Sequence, residues 1–120
     1  MTAPTIAILN KSAPYGSING QESLDMALAM SNFGQDVSLF FIEDGVLQLI
    51  KQQTADKIHH KAYHKTFGAL SFYDIDNIYV CQQSLLERNL SATDLSIPVT
   101  LIELSQLTAL ITTHAQVMVF

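Results

Sequence analysis

Charge is what this sequence has least of. Only 14% of its 120 residues are Asp, Glu, Lys or Arg, against the roughly 25% usual for a soluble domain. Eleven acidic residues outnumber six basic ones, the basic ones form no cluster, and the net charge is −5. Proteins that bind nucleic acid draw most of their affinity from neutralising phosphates, and docking on an anionic membrane needs basic clusters. Neither partner is expected to be contacted directly. There is one cysteine, so no internal disulfide can form, and a reducing, cytoplasmic location is the expectation. No apolar run approaches the ~20 residues of a membrane span; the longest, Val37 to Ile42, is strand-sized. The opening MTAPTIAILN lacks the basic-then-apolar pattern of a signal peptide. Repeats, low-complexity tracts and Pro/Gly/Ser-rich linkers are missing, which points to a single domain over residues 1–120. Neither GxGxxG nor GxxxxGK[ST] occurs, so there is no nucleotide fingerprint, and no cofactor is expected.

Apolar residues are plentiful, at 48%. A surface so poor in charge suits a chain partly covered by a partner, or one whose strands are buried on both faces. Short β-rich runs alternate with longer amphipathic ones. Strands are expected at Thr5–Asn10, Val37–Ile42, Asn77–Cys81, Pro98–Ile102 and Gln116–Phe120. Helices are expected at Asn19–Phe33, Asp56–Leu70, Gln82–Arg88 and Leu104–His114. In the first helix Leu24, Ala27, Leu28 and Ser31 share one face, and Gly34 stands where helices commonly stop. This rhythm predicts an α/β fold, a mainly parallel five-stranded sheet with helices on both faces. The expected core includes Ile6, Ile8, Leu28, Leu39, Phe40, Phe41, Ile78, Val80, Leu101 and Val119.

Ligands of open parallel sheets bind beyond the carboxyl ends of the strands. In the loop Ser12 to Ser17, Tyr15 and Gly16 are candidates for anion or partner contact, with an ordinary turn as the alternative. Cys81 ends the third strand just before a helix, where a thiol is suited to carry a persulfide; a buried small hydrophobe is the alternative. Glu43 and Asp44 read as turn residues ahead of Gly45. The apolar stretch Val46 to Ile50, with Val46, Leu47 and Leu49, is a candidate partner contact, or else packs back on its own domain. His59, His60 and His64 offer too few ligands in a regular pattern for zinc, so no metal site is expected. His114 stands near a helix end, where it suits the helix dipole.

Six segments together carry a resemblance: SAPYG at Ser12 to Gly16, ESLDMALAMS at Glu22 to Ser31, VSLFFIEDGVLQL at Val37 to Leu49, SFYDID at Ser71 to Asp76, VCQQSLLERNL at Val80 to Leu90, and VMVF at Val117 to Phe120. In order and spacing the chain resembles the TusC/DsrF group of the DsrE/DsrF-like family. The resemblance implies a flavodoxin-like domain that assembles with TusB-like and TusD-like sister subunits into a heterohexamer. Self-association stays open to the chain when the sisters are absent. It further implies a relay that takes persulfide sulfur from a small carrier protein and passes it toward 2-thiolation of a tRNA wobble uridine. A related complex serves sulfur oxidation. In that assembly the relay cysteine belongs to the TusD-like subunit, which makes this chain a non-catalytic subunit. A sulfurtransferase role for Cys81 is the alternative.

Overall fold

The computed structural model describes residues 5–11, 19–32, 34, 36–50, 75, 77–95 and 97–120. The expected helix at residues 56–70 and the three histidines within it lie outside them.

The described elements run β1 (Thr5–Asn10), α1 (Asn19–Asn32), β2 (Asp36–Phe41), a 3₁₀ segment (Glu43–Leu49), β3 (Asn77–Cys81), α2 (Gln82–Glu87), a short 3₁₀ turn (Ala92–Asp94), β4 (Thr100–Ile102), α3 (Leu104–Thr112) and β5 (Gln116–Val119). All five strands are parallel, in the order β4-β3-β2-β1-β5. From β1 to β4 each strand is added on the same side of the last. The connection through α3 then returns across the sheet to place β5 beside β1. Crossovers between parallel strands are right-handed, so reversing the direction of travel moves the helix to the opposite face.

The core divides accordingly. On the first face Ile6, Ile8, Val37, Leu39, Phe41, Ile78 and Val80 pack with Leu24 and Ala27 of α1, Leu85 of α2, and Val46 and Leu49 of the 3₁₀ segment. On the second face Ala7, Phe40 and Ile102 pack with Leu107 of α3, flanked by Leu9, Tyr79, Leu110 and Ile111. β1 and β2 are buried almost throughout, as strands with neighbours on both sides and helices above and below must be. Phe40 stacks on Tyr79 with ring centroids 5.0 Å apart, and the ring of His114 meets Phe40 edge-on at 5.8 Å.

Two expected core residues are not in the core. Leu101 and Val119 are 37% and 59% exposed. Each sits on an edge strand, β4 or β5, where the sheet ends and less packs over the side chain. Leu28 is partly buried at the margin of the first cluster.

Gly34 closes α1 in the left-handed conformation (φ +78°), with its N–H on the carbonyl of Ser31. Gly45 has a different reason to be glycine. A Cβ there would lie 1.8 Å from the carbonyl oxygen of Asn10. The 3₁₀ segment is thus laid directly against the end of β1.

Candidate functional site

The carboxyl ends of the strands converge on a bonded layer. Asn10, the last residue of β1, is 2% exposed. Its Nδ2 donates to the Phe40 carbonyl at 3.3 Å, and its Oδ1 accepts a hydrogen bond from Ser23 of α1. Its own carbonyl accepts the N–H of Ile42 at 3.0 Å. A buried amide with its partners supplied in this way fixes where β1, β2 and α1 end relative to one another.

The 3₁₀ segment is held next to α2. The Glu43 N–H donates to Ser84 Oγ at 2.9 Å, with Glu43 itself at φ +50°. The Arg88 guanidinium reaches Asp44 Oδ1 at 2.9 Å through Nη2 and the Ser84 carbonyl at 3.0 Å through Nη1. Lys11 Nζ lies 3.7 Å from Glu43 Oε2. Glu43 and Asp44 are therefore more than turn residues: each joins the segment to another element.

Cys81 ends β3 and caps α2 with extended backbone. It is in register with Ile102 of β4, and is 1% exposed. Immediately beyond it, between the starts of α2 and α3, lies a cleft of about 420 Å³ lined by Gln82, Gln83, Leu86, Glu103, Leu104 and Ser105. Leu86 and Leu104 are each about 60% exposed. Glu103 is occupied locally. It forms a capping box with Gln106, whose Oε1 accepts the Glu103 N–H at 2.9 Å. The cleft thus presents two leucines among two amides, a hydroxyl and the exposed Glu103, at the end of the sheet where ligands of this architecture bind.

The other candidates fall as follows. Tyr15 and Gly16 lie outside the described residues. Val46 and Leu49 are fully buried in the domain's own core, and only Leu47 of that trio keeps part of its side chain at the surface. The alternative of packing back on the domain is where these two side chains are found. His114 bonds the helix end, Nδ1 to the Leu110 carbonyl at 2.9 Å, as its place near the C-terminus of α3 suggested. It also reaches Ser38 Oγ on β2 through Nε2, at 2.9 Å. Among the described residues no group of three or more His, Cys, Asp and Glu comes together. No described helix is long and apolar enough to cross a membrane.

Sequence reading passed over Asn10, Ser84 and Arg88. Asn10 left one signal, a polar residue closing an apolar strand. The partnership of Asp44 with Arg88, 44 positions away, leaves none in a single sequence.

Comparisons with known proteins agree with this architecture. Residues 5–120 match the DsrE/DsrF-like family. The chain is 37% identical over 115 residues to a Protein TusC homolog of Vibrio vulnificus (strain CMCP6), covering 96% of this chain and 98% of that protein. Among solved structures it is similar to the ychN protein from E. coli, with a TM-score of 0.82 at 23% identity over 98% of this chain and 99% of that one. At that identity the likeness speaks for the fold.

Proposed function

The chain belongs to the DsrE/DsrF-like family, and on that footing we propose that it is a non-catalytic subunit of a sulfur-relay complex of the TusBCD type. The observation that carries this reading is the end-to-end similarity to a TusC homolog at 37% identity. The complex it implies pairs this chain with TusB-like and TusD-like subunits and passes persulfide sulfur toward the wobble uridine of tRNA. Sulfur moves when an acceptor thiolate attacks the outer sulfur of a donor persulfide and the donor departs as a thiolate, so no oxidant is consumed. The acceptor thiol must therefore be reachable. Cys81, at 1% exposure, is enclosed by its own domain, which favours a relay cysteine on a sister subunit. The location this reading implies is the cytoplasm, where tRNA is modified.

The alternative, Cys81 as a carrier in its own right, has one observation in its favour: the residue ends β3 directly beside the cleft. Deleting the coding gene and measuring 2-thiouridine in tRNA separates the readings. Loss of the modification, restored by the wild type and equally by Cys81→Ser, supports the non-catalytic subunit. Failure of Cys81→Ser alone supports the carrier. Retained thiolation with impaired sulfur oxidation moves the chain to a DsrEFH-type complex.

A further inference from the structure

The two faces of the sheet are held very unequally. On the first face three elements each bury apolar side chains: Leu24 and Ala27 from α1, Leu85 from α2, Val46 and Leu49 from the 3₁₀ segment. The second face is covered by α3. From Leu104 to Phe120 a single side chain, Leu107, is buried. Leu110 and Ile111 stand half-buried beside it, Leu104 is 60% exposed, and β5 buries no side chain at all. What else ties these residues down is hydrogen bonding. Phe120 donates to the Leu9 carbonyl and accepts from Lys11, Ala115 donates to Thr5 Oγ1, and His114 Nε2 meets Ser38 Oγ, each at 2.9 Å. On opening, such bonds are exchanged for bonds to water, so each holds less firmly than a buried apolar side chain does.

The topology lets this unit leave alone. β5 is an edge strand paired only with β1, and the order β4-β3-β2-β1 is contiguous without it. The first-face core contains nothing buried from α3 or β5, so it persists when they depart. Cooperative units of local opening often coincide with such supersecondary pieces. Cys81 lies underneath. Alternate side chains of a strand share a face, so Cys81 points the same way as Tyr79, which packs in the second cluster. Its partner in register is Ile102 of that cluster. The next residue, Gln82, faces Leu104 of α3 across the cleft. The thiol, 1% exposed, is thus on the face that α3 covers.

We infer that α3 and β5 open from the sheet together while the rest of the domain stays folded, and that this opening is what brings the Cys81 thiol to solvent. Access to the thiol is then set by a conformational equilibrium rather than by a fixed surface. Interactions made by α3 hold the thiol closed. Interactions within the first-face core do not, because they are the same in the closed and the opened forms. This motion belongs to the chain itself and stands whichever subunit carries the relay cysteine.

The test is native-state amide hydrogen exchange of the full chain at a series of low urea concentrations, together with iodoacetamide labelling. The chain has one cysteine, so labelling reports Cys81 alone. The amides of Phe120 and Lys11, bonded across the β1–β5 boundary, are expected to exchange at least about tenfold faster than the slowest amides of β2 and β3, after correction for intrinsic rates. Their dependence on urea should also be weaker, since less surface is exposed. Leu107→Ala is expected to raise both Phe120 exchange and Cys81 labelling by about tenfold or more; Leu107→Val, with a smaller rise in both, serves if that variant does not fold. Ile78→Val, in the first-face core, is expected to speed the amides of β2 and β3 and to leave Cys81 labelling unchanged. Exchange at Phe120 that matches β2 and β3 in rate and urea dependence overturns the inference. So does Cys81 labelling that rises with Ile78→Val, or that ignores the Leu107 variants.

Discussion

Replacing Gly45 with alanine tests how firmly the 3₁₀ segment is seated on β1. The added Cβ would lie 1.8 Å from Asn10 O and 2.5 Å from Asn10 C, both backbone atoms that no side-chain rotation can move. Restoring a tolerable contact of 3.0 Å requires one backbone to retreat by about 1.2 Å, an overpacking strain of about 1–3 kcal/mol. The same retreat breaks the Ile42 N–H bond to the Asn10 carbonyl, now 3.0 Å. Leaving such a buried pair unmade costs about 1–3 kcal/mol. Taken together, Gly45→Ala is expected to lose about 2–6 kcal/mol. An unfolding entropy of about 2.1 cal/mol/K per residue gives about 0.25 kcal/mol/K for a chain of this length. The melting temperature should therefore fall by about 8–24 °C. Gly34→Ala is the control: nothing stands within 4 Å of its added Cβ, and only the positive φ of +78° is unfavourable. That costs about 1 kcal/mol, or a fall of about 4 °C. Thermal unfolding of both variants, followed by far-ultraviolet circular dichroism, decides. A Gly45→Ala protein that melts no lower than Gly34→Ala would refute the close approach and the reasoning built on it.

Leu49→Asp places a carboxylate at a fully buried site and is expected to abolish stable folding, a loss of at least about 4 kcal/mol. Leu47→Asp, only partly buried, should leave the domain folded, and urea titration separates the two. Arg88→Ala removes the contacts to Asp44 and the Ser84 carbonyl. Because Asp44 is more than half exposed, the expected loss is about 1 kcal/mol, again read from urea midpoints. Asn10→Ala strips Ser23 and the Phe40 carbonyl of their bonds to a buried amide. It should cost about 2–4 kcal/mol, and Asn10→Asp should not rescue it, since a carboxylate cannot donate to the Phe40 carbonyl.

The sequence carried the elements well because their signals are local. The βαβ rhythm, the helical spacing from Leu24 to Ser31 and the stop at Gly34 each depend on residues near one another. Strand order is different. Nothing in PVTLI or QVMVF states that these segments close the two edges, and so Leu101 and Val119 read as core while lying at the rim. The same holds at the candidate site. Cys81 and the start of the following helix were legible as a strand-to-helix junction. The cleft between Leu86 and Leu104 was not, because it exists only where β3 and β4 become neighbours. Gly45 read as a turn former, whereas its packing reason, the carbonyl of Asn10, lies 35 positions earlier in the chain. His114 read as a helix-end residue, and its second partner, Ser38, comes from a strand 76 positions away.

The return of α3 across the sheet also bears on how the domain is made. β1 is an interior strand, yet one of its two neighbours is β5, and Ala115 bonds Thr5 over 110 positions of chain. As the polypeptide leaves the ribosome, β1 through β4 are able to assemble in order while the flank of β1 stays bare. That flank waits for nearly the whole chain to be synthesised. Pairings of such long sequence separation form slowly, and a bare strand flank is a ready template for a wrong strand. The nascent domain is therefore most vulnerable to mispairing just before β5 arrives, and ribosome-stalled chains truncated ahead of Gln116 should be the ones that chaperones hold longest.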